Sequence, residues 1–237
     1  MRQFIRVFLA ITTLASSGQL RAAERPPQGE WILLVGGVSM HQWEQYKGDA
    51  AHDHWWANFV HAARLRTQQL RDQYGPDLPI TWLVYKPAYV ERSKQDGRDL
   101  IALINSVRDA YGLRLLYFNK GQEVIDYLNN GRPRDQLKVA GFEYFGHSNK
   151  ACWMFDYSNV IDSSAKAWLH QDDFVKIDRR IFARNAYVKS WGCHTGEMMS
   201  AYWRKATGTR MWGAVGKTQY MSEELPVLVS PSDRWAY

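Results

Sequence analysis

The sequence predicts an α/β protein built on a mostly parallel six-stranded sheet with helices on both faces. Three observations lead there. Short apolar runs alternate with longer stretches of helical spacing along most of the chain. The apolar runs are continuous rather than alternating, as expected of strands covered on both faces. Glycine or proline closes most of the elements. Such alternation gives parallel strands joined by right-handed crossovers.

The elements follow in order. After the linker "RPPQGE", "WILLVGG" (Trp31 to Gly37) is the first strand. Asp53 to Tyr74 has helical spacing, with Phe59, Ala62, Ala63, Leu65 and Leu70 on one side, and "YGPD" stops it. "LPITWLVYKP" is a second strand ending at Pro87. "RDLIALINSVRDAYG" is a helix closed by Gly112. "LRLLYFN" is the third strand, "GQEVIDYLNNG" a helix, and "LKVAGFEYFGH" the fourth strand. "SSAKAWLHQDDFVKIDRRIFARN" is mixed, with one or two short helices. "AYVKSWG" is the fifth strand, "TGEMMSAYWRKATG" a helix ending at Gly208, and "TRMWGAVG" the sixth strand. The tail is a loop with room for one edge strand.

Residues 1–23 read as a signal peptide: basic "MRQFIR", an apolar stretch too short to span a bilayer, then small polar residues. Ala15 and Ser17 fit a small-x-small cleavage rule, whereas cleavage after Ala23 leaves Arg21 at the third position. Residues 24–237 then form a single secreted or periplasmic domain, without stable membrane insertion once the leader is gone. The formal charge is +6, but three arginines lie in the leader. The remaining 27 basic and 24 acidic residues are interleaved, a balance too mild to argue for nucleic acid. Tryptophan is abundant at 11 residues, which points first to a large aromatic core and second to rings that bind sugar or peptide.

Two strand ends carry residues capable of chemistry. "FEYFGHSN" places His147 just past the fourth strand, and "YVKSWGCHTG" places Cys193 just past the fifth. A thiol that attacks a carbonyl needs a base and donors for the oxyanion. His147 supplies the base. The Cys193 N–H, at the start of the next helix, is a candidate oxyanion donor, and Gly192 and Gly196 allow a tight turn. His194 adjoins Cys193, so its side chain should diverge and pack beneath the turn. A Cys152–Cys193 disulfide in a non-catalytic binding protein is one alternative. A serine hydrolase using Ser148 in "GHSNK" is another, although that elbow motif has a glycine where Lys150 stands. "GAVGKT" lacks the leading glycine of a phosphate-binding loop, with Met211 in its place. His52 and His54, two residues apart, point away from each other on a helix and argue against a shared metal. His41 stands in a surface or capping role near the first strand's end.

Strand-Gly-His followed one strand later by Cys-His-Thr-Gly resembles the caspase-like (clan CD) cysteine peptidases. "CHTG" is similar to the metacaspase "CHSG", and "YFGHS" to the family's Gly-His-Gly segment. The resemblance spans the two motifs and the βα arrangement from Trp31 to about Tyr220. It implies a three-layer caspase-like fold, Cys193 as nucleophile, His147 as acid/base, and peptide or protein as substrate, with no metal or organic cofactor. It places Gly146, Ser148, Trp191 and Gly192 at the oxyanion hole or substrate cleft. The loops after "WILLVGG", "GFEYFGH" and "RMWGAVG" are the expected cleft walls. Two departures stand out. Ser148 replaces the glycine after the histidine, and Trp191 replaces the aspartate with which metacaspases bind a basic side chain. Asp156, Glu197 and Glu223 are the other candidate specificity residues.

Overall fold

Five parallel strands form the central sheet of the computed structural model, which describes residues 29–44, 54–156 and 167–237. The expected signal peptide, most of the linker after it, and His52 lie outside these residues. The strands are β1 (Glu30–Val35), β2 (Ile80–Tyr85), β3 (Arg114–Phe118), β4 (Val139–Phe145) and β8 (Phe182–Ser190), in the order β3-β2-β1-β4-β8. Their helices are the short α1 (His41–Glu44), α2 (Asn58–Tyr74), α3 (Lys86–Asp96), α4 (Leu100–Tyr111), α5 (Gly121–Asn130) and α6 (Met199–Thr207). Between β4 and β8 lie three short antiparallel strands, β5 (His147–Ser148), β6 (Cys152–Met154) and β7 (Trp168–His170). Two 3-10 turns, Gln171–Lys176 and Arg179–Ile181, follow them. After α6 come β9 (Gly213–Val215), β10 (Thr218–Gln219), β11 (Val227–Leu228) and β12 (Arg234–Ala236).

Helices cover both faces of the sheet, as the continuous apolar strands require. On one face, Arg66 of α2 binds Glu143 of β4, and Thr67 accepts from the Trp82 indole of β2. On the other, Tyr127 of α5 donates to Glu30 of β1, and Trp203 of α6 stacks on Phe142 of β4. β1, β2 and β4 are buried along their whole length. The core is strongly aromatic, with Trp82, Trp153 and Trp203 fully buried. Trp55, Trp168 and Trp212 remain exposed.

Three expectations need correction. The sheet has five strands, not six. "TRMWGAVG" contributes one parallel bridge, Lys189 to Trp212, and then leaves to pair with β12 as β9. Gly213 approaches the Thr195–Gly196 turn so closely that a Cβ there would lie 2.6 Å from the Gly196 nitrogen, which turns the chain off the sheet edge. Pro87 does not end a strand in a loop: it sits in the first turn of α3, where its missing N–H costs nothing. The helix after Cys193 begins at Met199 rather than at Thr195, so residues 193–198 form turns. Among the described residues no helix is long and apolar enough to cross a membrane.

Candidate active site

All five sheet strands end at one edge, and the candidate residues gather there. β4 runs to Phe145, and His147 follows as the first residue of the β5–β6 hairpin. β8 runs to Ser190, and Cys193 follows three residues later. Because β4 and β8 are neighbours, the two turns meet. Ser148 Oγ donates to the Cys193 carbonyl at 2.7 Å. A Cβ on Gly192 would fall 2.1 Å from Ser148 Oγ and 2.9 Å from the Gly146 carbonyl. Glycine at 192 is therefore a condition of the contact between the His147 and Cys193 turns.

His147 is partly buried. Its Nε2 lies 3.0 Å from Ser39 Oγ, and its ring meets Phe59 edge-on with centroids 4.9 Å apart. Tyr144 donates its phenol to the His147 carbonyl at 2.6 Å. Tyr220 accepts the Gly146 N–H at 2.8 Å and packs against Phe59, so that N–H is engaged within the protein. Burial holds the Tyr144 phenol far above its ordinary range, and nearby Tyr220, Tyr89 and Cys193 push the same way. Tyr144 thus acts as a fixed neutral donor under the turn.

Cys193 Sγ faces the strand after β9. The Thr218 N–H points at the sulfur at 3.4 Å, and the Thr218 hydroxyl stands 3.6 Å away. That hydroxyl donates to the Trp191 carbonyl at 2.8 Å. Among the described residues the Cys193 N–H has no acceptor, so it is available to an oxyanion. Helix α6 starts six residues on, too far for its dipole to act on this N–H.

The neighbouring residues sort themselves clearly. His194 is the single non-glycine described residue with a left-handed φ, at 63°. Its N–H donates to the Gly216 carbonyl, and its ring lies 2.5 Å from Glu197. The ring therefore diverges from Cys193 as expected, but it is about one-third exposed rather than packed beneath the turn. The hydrogen bond to His194 holds the Glu197 carboxyl below the usual carboxylate range. Trp191 is buried, at 7% exposed. Its indole donates to Glu143 at 2.7 Å, and Lys189 lies between its ring and that of Trp235. Asp156 is also buried, accepting from Tyr85 at 2.8 Å, whereas Glu223 is exposed. Both cysteines are free thiols. Cys152 pairs across the β6–β7 ladder with His170, and burial, then Asp173 and Asp172, push its thiol up to about 11. Ser148, 7% exposed, has its hydroxyl turned to the Cys193 carbonyl. His41 has a surface role, pairing with Asp96 at 2.8 Å.

Sequence reasoning missed Ser39 and Thr218, which face His147 and Cys193. Both lie in loops expected to wall the cleft, but neither has a local spacing that ties it to its partner. Comparison with known proteins gives no match: no family model, no curated protein and no solved structure is significantly similar to this chain.

Proposed function

We propose that the chain is a secreted or periplasmic cysteine peptidase of caspase-like fold, acting on peptide or protein substrates through Cys193 and His147. The observation that carries this reading is the junction of the two turns. The residue after the histidine is hydrogen-bonded to the carbonyl of the cysteine, and a glycine permits the close approach. His147 takes the Cys193 thiol proton as the sulfur attacks the scissile carbonyl carbon, and the developing oxyanion accepts a hydrogen bond from the Cys193 N–H. The C–N bond breaks as His147 delivers a proton to the leaving amine, leaving a thioester on Cys193. His147 then takes a proton from water, whose oxygen attacks the thioester and releases the acid and the thiol. The Ser148 hydroxyl, engaged with the Cys193 carbonyl, supports the serine-hydrolase alternative less well.

The test is labelling by an active-site-directed alkylator in the intact chain. Rapid modification of Cys193 that falls in His147→Ala is the expected result. Labelling of Cys193 no faster than that of a small free thiol, and indifferent to His147, overturns the proposal.

A further inference from the structure

We propose that Ser39 is the positioning residue of His147 and that the buried Arg92 holds it in place. This inference deepens the peptidase reading and rests on it. The loop after β1 brings Ser39, 1% exposed, to the imidazole, with Oγ 3.0 Å from Nε2. A hydrogen bond at Nε2 restricts the ring's rotation and so sets where its nitrogens stand relative to the Cys193 turn.

The loop itself is clamped from several sides. Gly36 N–H donates to the Phe145 carbonyl and Gly37 N–H to the Phe155 carbonyl, each at 2.8 Å. Tyr89 of α3 donates to the Gly36 carbonyl at 2.9 Å. The most unusual clamp is Arg92 of α3, whose guanidinium is 4% exposed. Its Nη1 donates to the Ser39 carbonyl at 2.8 Å and to Glu44 at 2.5 Å, and its Nε to Asp96 at 2.8 Å. A buried guanidinium is costly unless its donors are met, and here one of them is spent on the backbone of the residue that touches the candidate base. Two carboxylates hold the arginine, the arginine holds Ser39, and Ser39 holds His147.

Among the described residues, the ionisable groups at this corner include Cys193, the Tyr144 and Tyr220 phenols, and Arg92 with Glu44 and Asp96 behind Ser39. A carboxylate introduced at position 39 would add a negative charge beside the imidazole.

The experiment uses the full chain carrying Cys152→Ser, so that one thiol reports. It combines the pH profile of Cys193 alkylation by iodoacetamide with NMR titration of the His147 imidazole. Ser39→Ala should slow alkylation by about fivefold, the usual worth of one hydrogen bond, and shift the His147 titration. Ser39→Thr, which keeps the hydroxyl, should restore both. Ser39→Asp should raise the His147 midpoint by about one unit or more. Arg92→Lys, which loses the planar fork, should act like a milder Ser39→Ala. If His147→Ala slows alkylation but none of the Ser39 variants moves its rate or the His147 titration, the positioning role is wrong and the dyad stands. If His147→Ala leaves alkylation unchanged, the dyad itself falls, while the titration still decides whether Ser39 engages the ring.

Discussion

Removing the Glu143 carboxylate should be among the most damaging single changes outside the candidate dyad. Glu143 is fully buried in β4 and accepts from three donors: the Trp31 indole at 2.8 Å, the Trp191 indole at 2.7 Å and Arg66 Nε at 2.6 Å. Glu143→Ala leaves two indole N–H groups unmet, at roughly 1–3 kcal/mol each. It also strips Arg66, largely buried, of its carboxylate, where breaking a buried pair costs about 3–5 kcal/mol. Shared relaxation lowers the sum, so a loss of about 5 kcal/mol is expected. That is a large part of a typical stability of about 5–15 kcal/mol. Denaturant unfolding measures it directly. Trp191→Phe should lose about 1 kcal/mol, and the double variant should fall well short of additivity, because the two side chains share one bond. A loss below about 1 kcal/mol in Glu143→Ala, with additive behaviour in the pair, refutes the claim that this carboxylate ties the Trp191 turn to the sheet.

Three further outcomes follow from the same geometry. Ser148→Ala should retain Cys193 labelling and any peptidase activity with a reduction of about tenfold or less, the worth of one lost hydrogen bond; complete loss of activity with labelling intact would favour Ser148 as nucleophile. Cys152 should label far more slowly than Cys193 at pH 7, since burial holds its thiol up near about 11, and Cys152→Ser should remove only the slow phase in a thiol titration. Burial pushes the Lys189 ammonium down to about 8 from 10.5. Above about pH 8 the folded chain therefore holds fewer protons at Lys189 than the unfolded chain does, a contribution that makes stability rise with pH. The raised Cys152 thiol offsets that gain once the unfolded-state thiol ionises near ~8.5, so the experiment is run on the Cys152→Ser chain. Lys189→Met should flatten the rise in thermal unfolding curves recorded across this range.

The main strands were legible because a strand covered on both faces must be apolar throughout, and "WILLV", "ITWLVY" and "LKVAGFEYF" are nearly so. Helix α3 was hidden because proline stops strands and also opens helices, and only the structure shows that Pro87 does the second. The sixth strand was overread: "MWGAV" is apolar enough to join the sheet, but the approach of Gly213 to the Thr195–Gly196 turn diverts it after one bridge. Trp191 carries no sign in the sequence of which way it points. Lys189 and Trp191 face the same side, and there the buried Glu143 claims the indole. Ser39 is 108 positions from His147, a separation that local pattern cannot bridge.

The sheet order explains why these distant residues gather where they do. From β1 the chain steps outward to β2 and β3, returns to β4 on the opposite side of β1, and continues to β8. The direction of winding therefore reverses between β1 and β4. At such a reversal the connections leaving two adjacent strands go to opposite faces, and a crevice opens beyond their carboxyl ends. Ser39 leaves β1 and His147 leaves β4, so their 3.0 Å contact lies at that crevice. Cys193 leaves β8, the next strand over, and reaches the crevice because Gly192 lets its turn close on Ser148 and Gly146. Adding a side chain at Gly192 is thus the change that separates the two turns without touching either candidate catalytic group, and Gly192→Ala should slow Cys193 alkylation while leaving the His147–Ser39 contact in place.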